Sequence, residues 1–91
     1  MRFRWDSEKA ASNLVKHGVS FEEASTVFCD ALSTTVRDFK HLAEVRFLTT
    51  GRSLDSGRIL IVWHTEDEDS VRMIGARPAT PRERRTYESG E

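Results

Sequence analysis

The chain has 91 residues, 37% hydrophobic and 32% charged, with a formal net charge of −1. That length supports one hydrophobic core and not two, so residues 1–91 are expected to form a single domain. Near-neutrality excludes nucleic-acid binding by bulk charge, leaving only a local basic patch, and the lone Cys29 excludes a disulfide framework or a cysteine-built zinc site.

Met1 to Trp5 alternates enough for a short strand, and its charged start lacks the apolar stretch of a signal peptide. With no apolar run of the ~18 residues that span a bilayer, a reducing cytoplasm is the expected location and no membrane partner is expected. Asp6 reads as the N-cap of a helix ending near His17, with Ala10, Leu14 and His17 on one stripe and Gly18 as a left-handed stop. Ser20-Phe21-Glu22-Glu23 matches a capping box, Glu23 reaching back to the amide of Ser20, and opens a short second helix presenting Phe21, Ala24 and Phe28. From Asp30 the period changes. Leu32 to Val36 and Val45 to Thr50 read as strands, and His41 lies in the polar connection between them. After a turn-rich stretch, Arg58 to Thr65 is apolar on both faces and therefore expected to be central. The acidic loop Glu66-Asp67-Glu68-Asp69 returns into Ser70 to Ala76, completing an antiparallel meander. Thr80-Pro81-Arg82-Glu83 starts a final helix with a threonine cap, proline at the first position and glutamate three residues after the cap. The order β-α-α-β-β-β-β-α predicts an α+β fold, an antiparallel sheet packed by the N-terminal helices and a C-terminal helix.

Several segments together resemble the BrnT family of toxins. They are Phe3-Arg4-Trp5-Asp6, Lys9 to Leu14, Lys16 to Ala24, Arg46-Phe47 with Gly51-Arg52, His64-Thr65-Glu66, Gly75-Ala76-Arg77 and Arg82 to Tyr87, in that order. The resemblance implies a RelE-like fold and ribonuclease activity within a type II toxin–antitoxin pair. It also implies a BrnA-type ribbon-helix-helix antitoxin, assembled with the toxin as a heterotetramer and touching operator DNA on behalf of the complex. One departure is Pro78, which follows Arg77 where typical members carry a lysine.

RNA brings its own nucleophile, because the 2′-hydroxyl can attack the adjacent phosphorus. An RNase of this kind needs no cofactor, only a proton acceptor, cations for the developing charge and a proton for the leaving 5′ oxygen. Each well-placed cation contributes roughly 2.7–4 kcal/mol, by analogy with oxyanion donors. Alternation in a simple meander places Arg46, His64 and Arg72 on a common face, a reading that a one-residue slip would split. His64 is the first candidate for acid or base because it titrates near neutrality, and Glu66 is its rival. Arg77 closes the last strand, where a guanidinium can grip a phosphate bidentately. Arg52, Lys16, His17, Arg82 and Tyr87 are candidate RNA contacts, while Trp5 and Trp63 read as core. The three histidines have no zinc-binding spacing and the acidic run no calcium-loop glycine, so no metal is expected. A catalytically silent partner-binding module is the competing reading. A DNA-binding accessory subunit is weaker still, since no helix-turn-helix pattern appears.

Overall fold

The computed structural model describes residues 1–40 and 43–90; His41 lies outside the described residues. In chain order the elements are β1 (Arg2–Arg4), α1 (Ser7–His17), α2 (Phe21–Ser25) with a 3-10 turn at Thr26–Cys29, β2 (Thr34–Asp38), β3 (Arg46–Arg52), β4 (Ile59–Glu66), β5 (Ser70–Pro78) and α3 (Pro81–Ser89). The strands form one sheet in the order β1-β5-β4-β3-β2. β4 is central, as its run of apolar residues requires, with Ile59, Leu60, Ile61 and Val62 all buried. The sheet is mixed rather than antiparallel, because β1 runs parallel to β5 with Phe3 opposite Val71. The chain starts at this edge and crosses through α1 and α2 to β2 at the opposite edge, so β1 meets β5 only by a long-range pairing that local pattern does not encode. No helix among the described residues is long and apolar enough to cross a membrane.

One face of the sheet is covered by the two N-terminal helices and carries the core. Val19, Phe21, Ala24 and Val27 pack there against Leu60, Val62, Val71, Met73 and Ala76, with Phe3, Trp5, Ala10 and Phe28 around them. Both cap signals hold α1 in place. The Asp6 carboxylate accepts from the amide of Glu8 at 3.0 Å, and Gly18 adopts φ 69° while its N–H reaches Leu14 O. The expected stripe is rotated, however, since Leu14 is exposed and the buried residue of α1 is Asn13. Its amide donates to Val19 O and Ala76 O at 2.9 Å each and accepts from Ala76 N at 3.1 Å. β1 pairs with β5 only as far as Arg72, and the Asn13 side chain takes the place of a neighbouring strand at Ala76. At Gly51 the backbone of β3 approaches the 3-10 turn so closely that a Cβ would stand 3.0 Å from Val27 O, and any larger residue would have to push the turn back by a few tenths of an ångström.

The capping box of α2 is half made. Ser20 Oγ accepts from Glu23 N at 3.0 Å, but the Glu23 carboxylate turns away to Arg58, Ser53 and Ser56. The Arg58 guanidinium, assisted by those hydroxyls, holds it at a pKa of about 2 against desolvation. The box of α3 is complete, Thr80 and Glu83 each bonding the other's backbone amide.

His64 is part of the core. It is fully buried between Phe28 and Phe47, and its Nε2 is hydrogen-bonded to Thr49 Oγ1 at 2.7 Å. Burial pushes its pKa from 6.5 down to about 4.

Two measurements follow from this packing. Asn13→Ala leaves two buried carbonyls and one amide without partners and should cost roughly 2–3 kcal/mol in urea unfolding. The folded ring of His64 stays neutral down to about pH 4, whereas the unfolded ring titrates near 6.5. The unfolded chain therefore binds the extra proton between those values. Stability should fall by up to roughly 3 kcal/mol as pH drops through that window. His64→Gln should flatten that slope; an unchanged slope would show that other groups cause it.

Candidate functional site

Register decides which side chains share a surface. Phe47, His64 and Met73 lie side by side across β3, β4 and β5, all pointing into the helix-covered core. Their chain neighbours, including Arg46, Thr65 and Arg72, therefore point to the opposite, outer face. This corrects the expected common face of Arg46, His64 and Arg72: the two arginines share it and the histidine does not. The slip is one residue, enough to send His64 to the other side of the sheet.

A β-bulge adds the third cation. Gly75 opposes Trp63 and Met73 opposes His64, so Ile74 has no counterpart on β4. Arg72 and Arg77 are five positions apart, which in a regular strand would put them on opposite faces. The extra residue restores parity beyond the bulge, and Arg77 stands opposite Ile61 on the outer face.

Acidic partners hold these guanidinium groups. Glu44, in the bend before β3, accepts from Arg46 Nε at 2.9 Å and from Arg72 Nη2 at 2.5 Å. Bonding to Arg46, reinforced by the charge of Arg72, holds the Glu44 carboxyl below the usual glutamate range. Arg77 lies over the Trp63 ring, 5.2 Å from its centroid, and makes a bidentate pair with Glu83 at 2.7 and 2.9 Å. That pair holds Glu83 at a pKa of about 2 and raises that of Arg77. The side chains of Arg46, Arg72 and Arg77 remain partly exposed, at 25%, 29% and 29%. The face thus presents fixed cations to solvent, each aimed by a carboxylate, an arrangement suited to receiving phosphate oxygens.

The other expected site residues fall elsewhere. Glu66 has the inward parity of His64, and its carboxylate stands 3.8 Å from His64 Nδ1 rather than against Arg72. Lys16 and His17 end α1 on the helix side of the sheet, around a shallow hollow shared with Ile74. Arg52 donates to Gly57 O and lies over the Tyr87 ring, while the Tyr87 hydroxyl bonds Asp30. These two therefore fasten the end of α3. Arg82 is exposed on α3. Trp63, expected in the core, is half-buried on the outer face beneath Arg77. Sequence reasoning missed Glu44 and Glu83 as partners of the arginines. Glu44 stands two positions before Arg46 in the chain, a proximity of opposite charges that could have revealed the pair.

Residues 5–83 match a family model described as the ribonuclease toxin, BrnT, of type II toxin–antitoxin systems. Among solved structures the chain is similar to the crystal structure of the Brucella abortus ribonuclease toxin BrnT. The two are 19% identical, with a TM-score of 0.63 over 88% of this chain and 97% of that one. That likeness carries the fold alone. No curated protein matches the sequence. The family match spans most of the chain, from Trp5 at the end of β1 to Glu83 beside Arg77, and implies an antitoxin partner: the chain belongs to the BrnT family of type II ribonuclease toxins.

Proposed function

We propose that this protein is an endoribonuclease toxin that cleaves RNA by 2′-hydroxyl attack, without a metal ion, and thereby inhibits translation and growth. The observation that carries this reading is the gathering of Arg46, Arg72 and Arg77 on one face of the sheet. Phosphoryl transfer through a crowded phosphorane concentrates negative charge on the non-bridging oxygens, and guanidinium groups already held by carboxylates meet it without reorganising. Because the substrate supplies the nucleophile, the protein needs none of its own. Among the described residues, no three His, Cys, Asp or Glu side chains gather as a metal site would require.

The fourth strand contributes Thr65 and Trp63 between the cations. His64 serves the fold in this reading rather than the chemistry. A BrnA-type ribbon-helix-helix antitoxin neutralises the toxin in a heterotetramer in the cytoplasm, and operator DNA is contacted only through that antitoxin. This rests on the family match.

Purified protein incubated with a single-stranded RNA in EDTA should yield fragments ending in 2′,3′-cyclic phosphate and 5′-hydroxyl. Arg72→Ala and Arg77→Ala should each slow cleavage by about 100-fold or more, the loss seen when one oxyanion donor is removed. Their unfolding midpoints should move little, because half-exposed ion pairs are worth about 1 kcal/mol or less. RNA left intact by a protein that binds its antitoxin tightly would replace this reading with that of a silent partner-binding module.

A further inference from the structure

We propose that Glu44 is the proton acceptor for the attacking 2′-hydroxyl, which makes it a catalytic residue of this site. The inference rests on the ribonuclease reading above and assigns the one role that reading leaves open. Cations can stabilise the phosphorane, but an arginine does not take a proton at neutral pH. A carboxylate or imidazole must do so within reach of the arginine-bound phosphate.

The fold removes the other candidates. His64 is fully buried on the opposite face with its Nε2 bonded to Thr49. Glu83 closes the capping box of α3 and grips Arg77 with both oxygens. Asp38, which lies opposite Arg46 on β2, is buried and accepts from the amide of Lys40. Glu66 has the inward parity of His64 and its carboxylate stands beside His64 Nδ1, away from the arginines of the outer face. Glu44 differs from all four. Its side chain is 40% exposed, and each of its two oxygens is held by a different arginine of the outer face.

This geometry couples substrate docking to proton transfer. In the free protein, Arg46 and Arg72 hold Glu44 ionised, ready to accept but weakly basic. A phosphate docking between the same two guanidinium groups takes over part of their hydrogen bonding and brings its own negative charge beside the carboxylate. Both changes raise the affinity of Glu44 for a proton at the moment it is needed. The 2′-hydroxyl sits on the ribose carrying the scissile 3′-phosphate, so it arrives beside the carboxylate when the phosphate does. In the reaction, the O2′ proton passes to Glu44, the O2′–P bond forms and the P–O5′ bond breaks. The leaving O5′ takes a proton from solvent water, and Glu44 returns its own to solvent. One proton has moved from O2′ to O5′, and no oxidant or reductant is involved. Arg46 and Arg72 stay protonated throughout.

The test compares the full-chain protein with Glu44→Gln and Glu44→Asp. Cleavage is measured on an RNA oligonucleotide and binding on the same oligonucleotide carrying 2′-deoxyribose at the scissile position. Glu44→Gln keeps an oxygen for one arginine but takes up no proton. It should bind within about threefold of the parent and cleave about 100-fold more slowly or worse, the span of general base catalysis. Glu44→Asp should fall between the two. If Glu44→Gln does not fold, Glu44→Asp carries the test, with an expected loss of about tenfold in cleavage at unchanged binding. Cleavage by Glu44→Gln within about threefold of the parent overturns the assignment, and so does a loss of binding that accounts for the whole loss of cleavage. A parent protein that leaves RNA intact is a different result: it removes the ribonuclease reading itself, and the role of Glu44 with it.

Discussion

Ile74 is the residue with no counterpart on β4, and the arginine-bearing outer face depends on that irregularity. Before it, Val71 and Met73 point into the core and Arg72 points out; beyond it, Ala76 points in and Arg77 points out. A strand of perfect alternation could place only one of the two arginines outside, because they are separated by an odd number of positions. The other guanidinium would then enter an apolar core, where an unpaired charge cannot be kept. The bulge costs a ladder pair and in return allows β5 to satisfy its core and its cations together. Asn13 secures the strand just past this point, its amide bonding both backbone groups of Ala76 where β1 has already ended.

The arginines brought together in this way are held by acids. Glu44 joins Arg46 to Arg72 across β4, and Glu83 binds Arg77 over Trp63. As contributions to stability such half-exposed pairs are small, about 1 kcal/mol or less each. Their consequence lies in geometry: a guanidinium fixed by a carboxylate and an indole ring has already lost the rotamer freedom that docking a phosphate would otherwise remove. The same acids offset the positive charge of three arginines on one face in a chain of net charge −1. Arg58 makes the contrasting case. It is bound by Glu23 and the carbonyl of Gly18, and its role is to tie the β3–β4 connection to the helix layer.

Helix α3 belongs to the outer face and not to the core. None of its residues is buried, and its attachments are the Glu83–Arg77 pair at the start and the Tyr87–Asp30 bond, with Arg52 over the Tyr87 ring, at the end. Between them the helix spans a groove of about 490 Å3 floored by Leu48 and Ile61. The helix is fastened by polar contacts at its two ends and shields Ile61, which is 3% exposed although it lies on the outer face of the sheet. The opposite face is built differently. There His64 is neutral and enclosed by Phe28 and Phe47, and its bond to Thr49 continues to Thr35.

The sequence by itself determined the elements and their order. Gly18, Ser20 and Thr80 mark helix ends by local backbone chemistry, and the apolar run Ile59 to Val62 identifies the central strand because only a strand buried on both faces has that composition. The family was legible too, since ordered motifs survive any uncertainty about pairing. Register, the bulge and the parallel pairing of β1 were decided only by the tertiary structure. They arise from contacts between residues far apart in the chain, and a shift of one position reverses which face a side chain occupies. His64 looked catalytic because its residue type can titrate near neutrality, and it proved to be core because Phe47 and Met73 are its neighbours. Glu44 looked unremarked in a polar connection and became the centre of the candidate site, because folding brought Arg72 to it from 28 residues away.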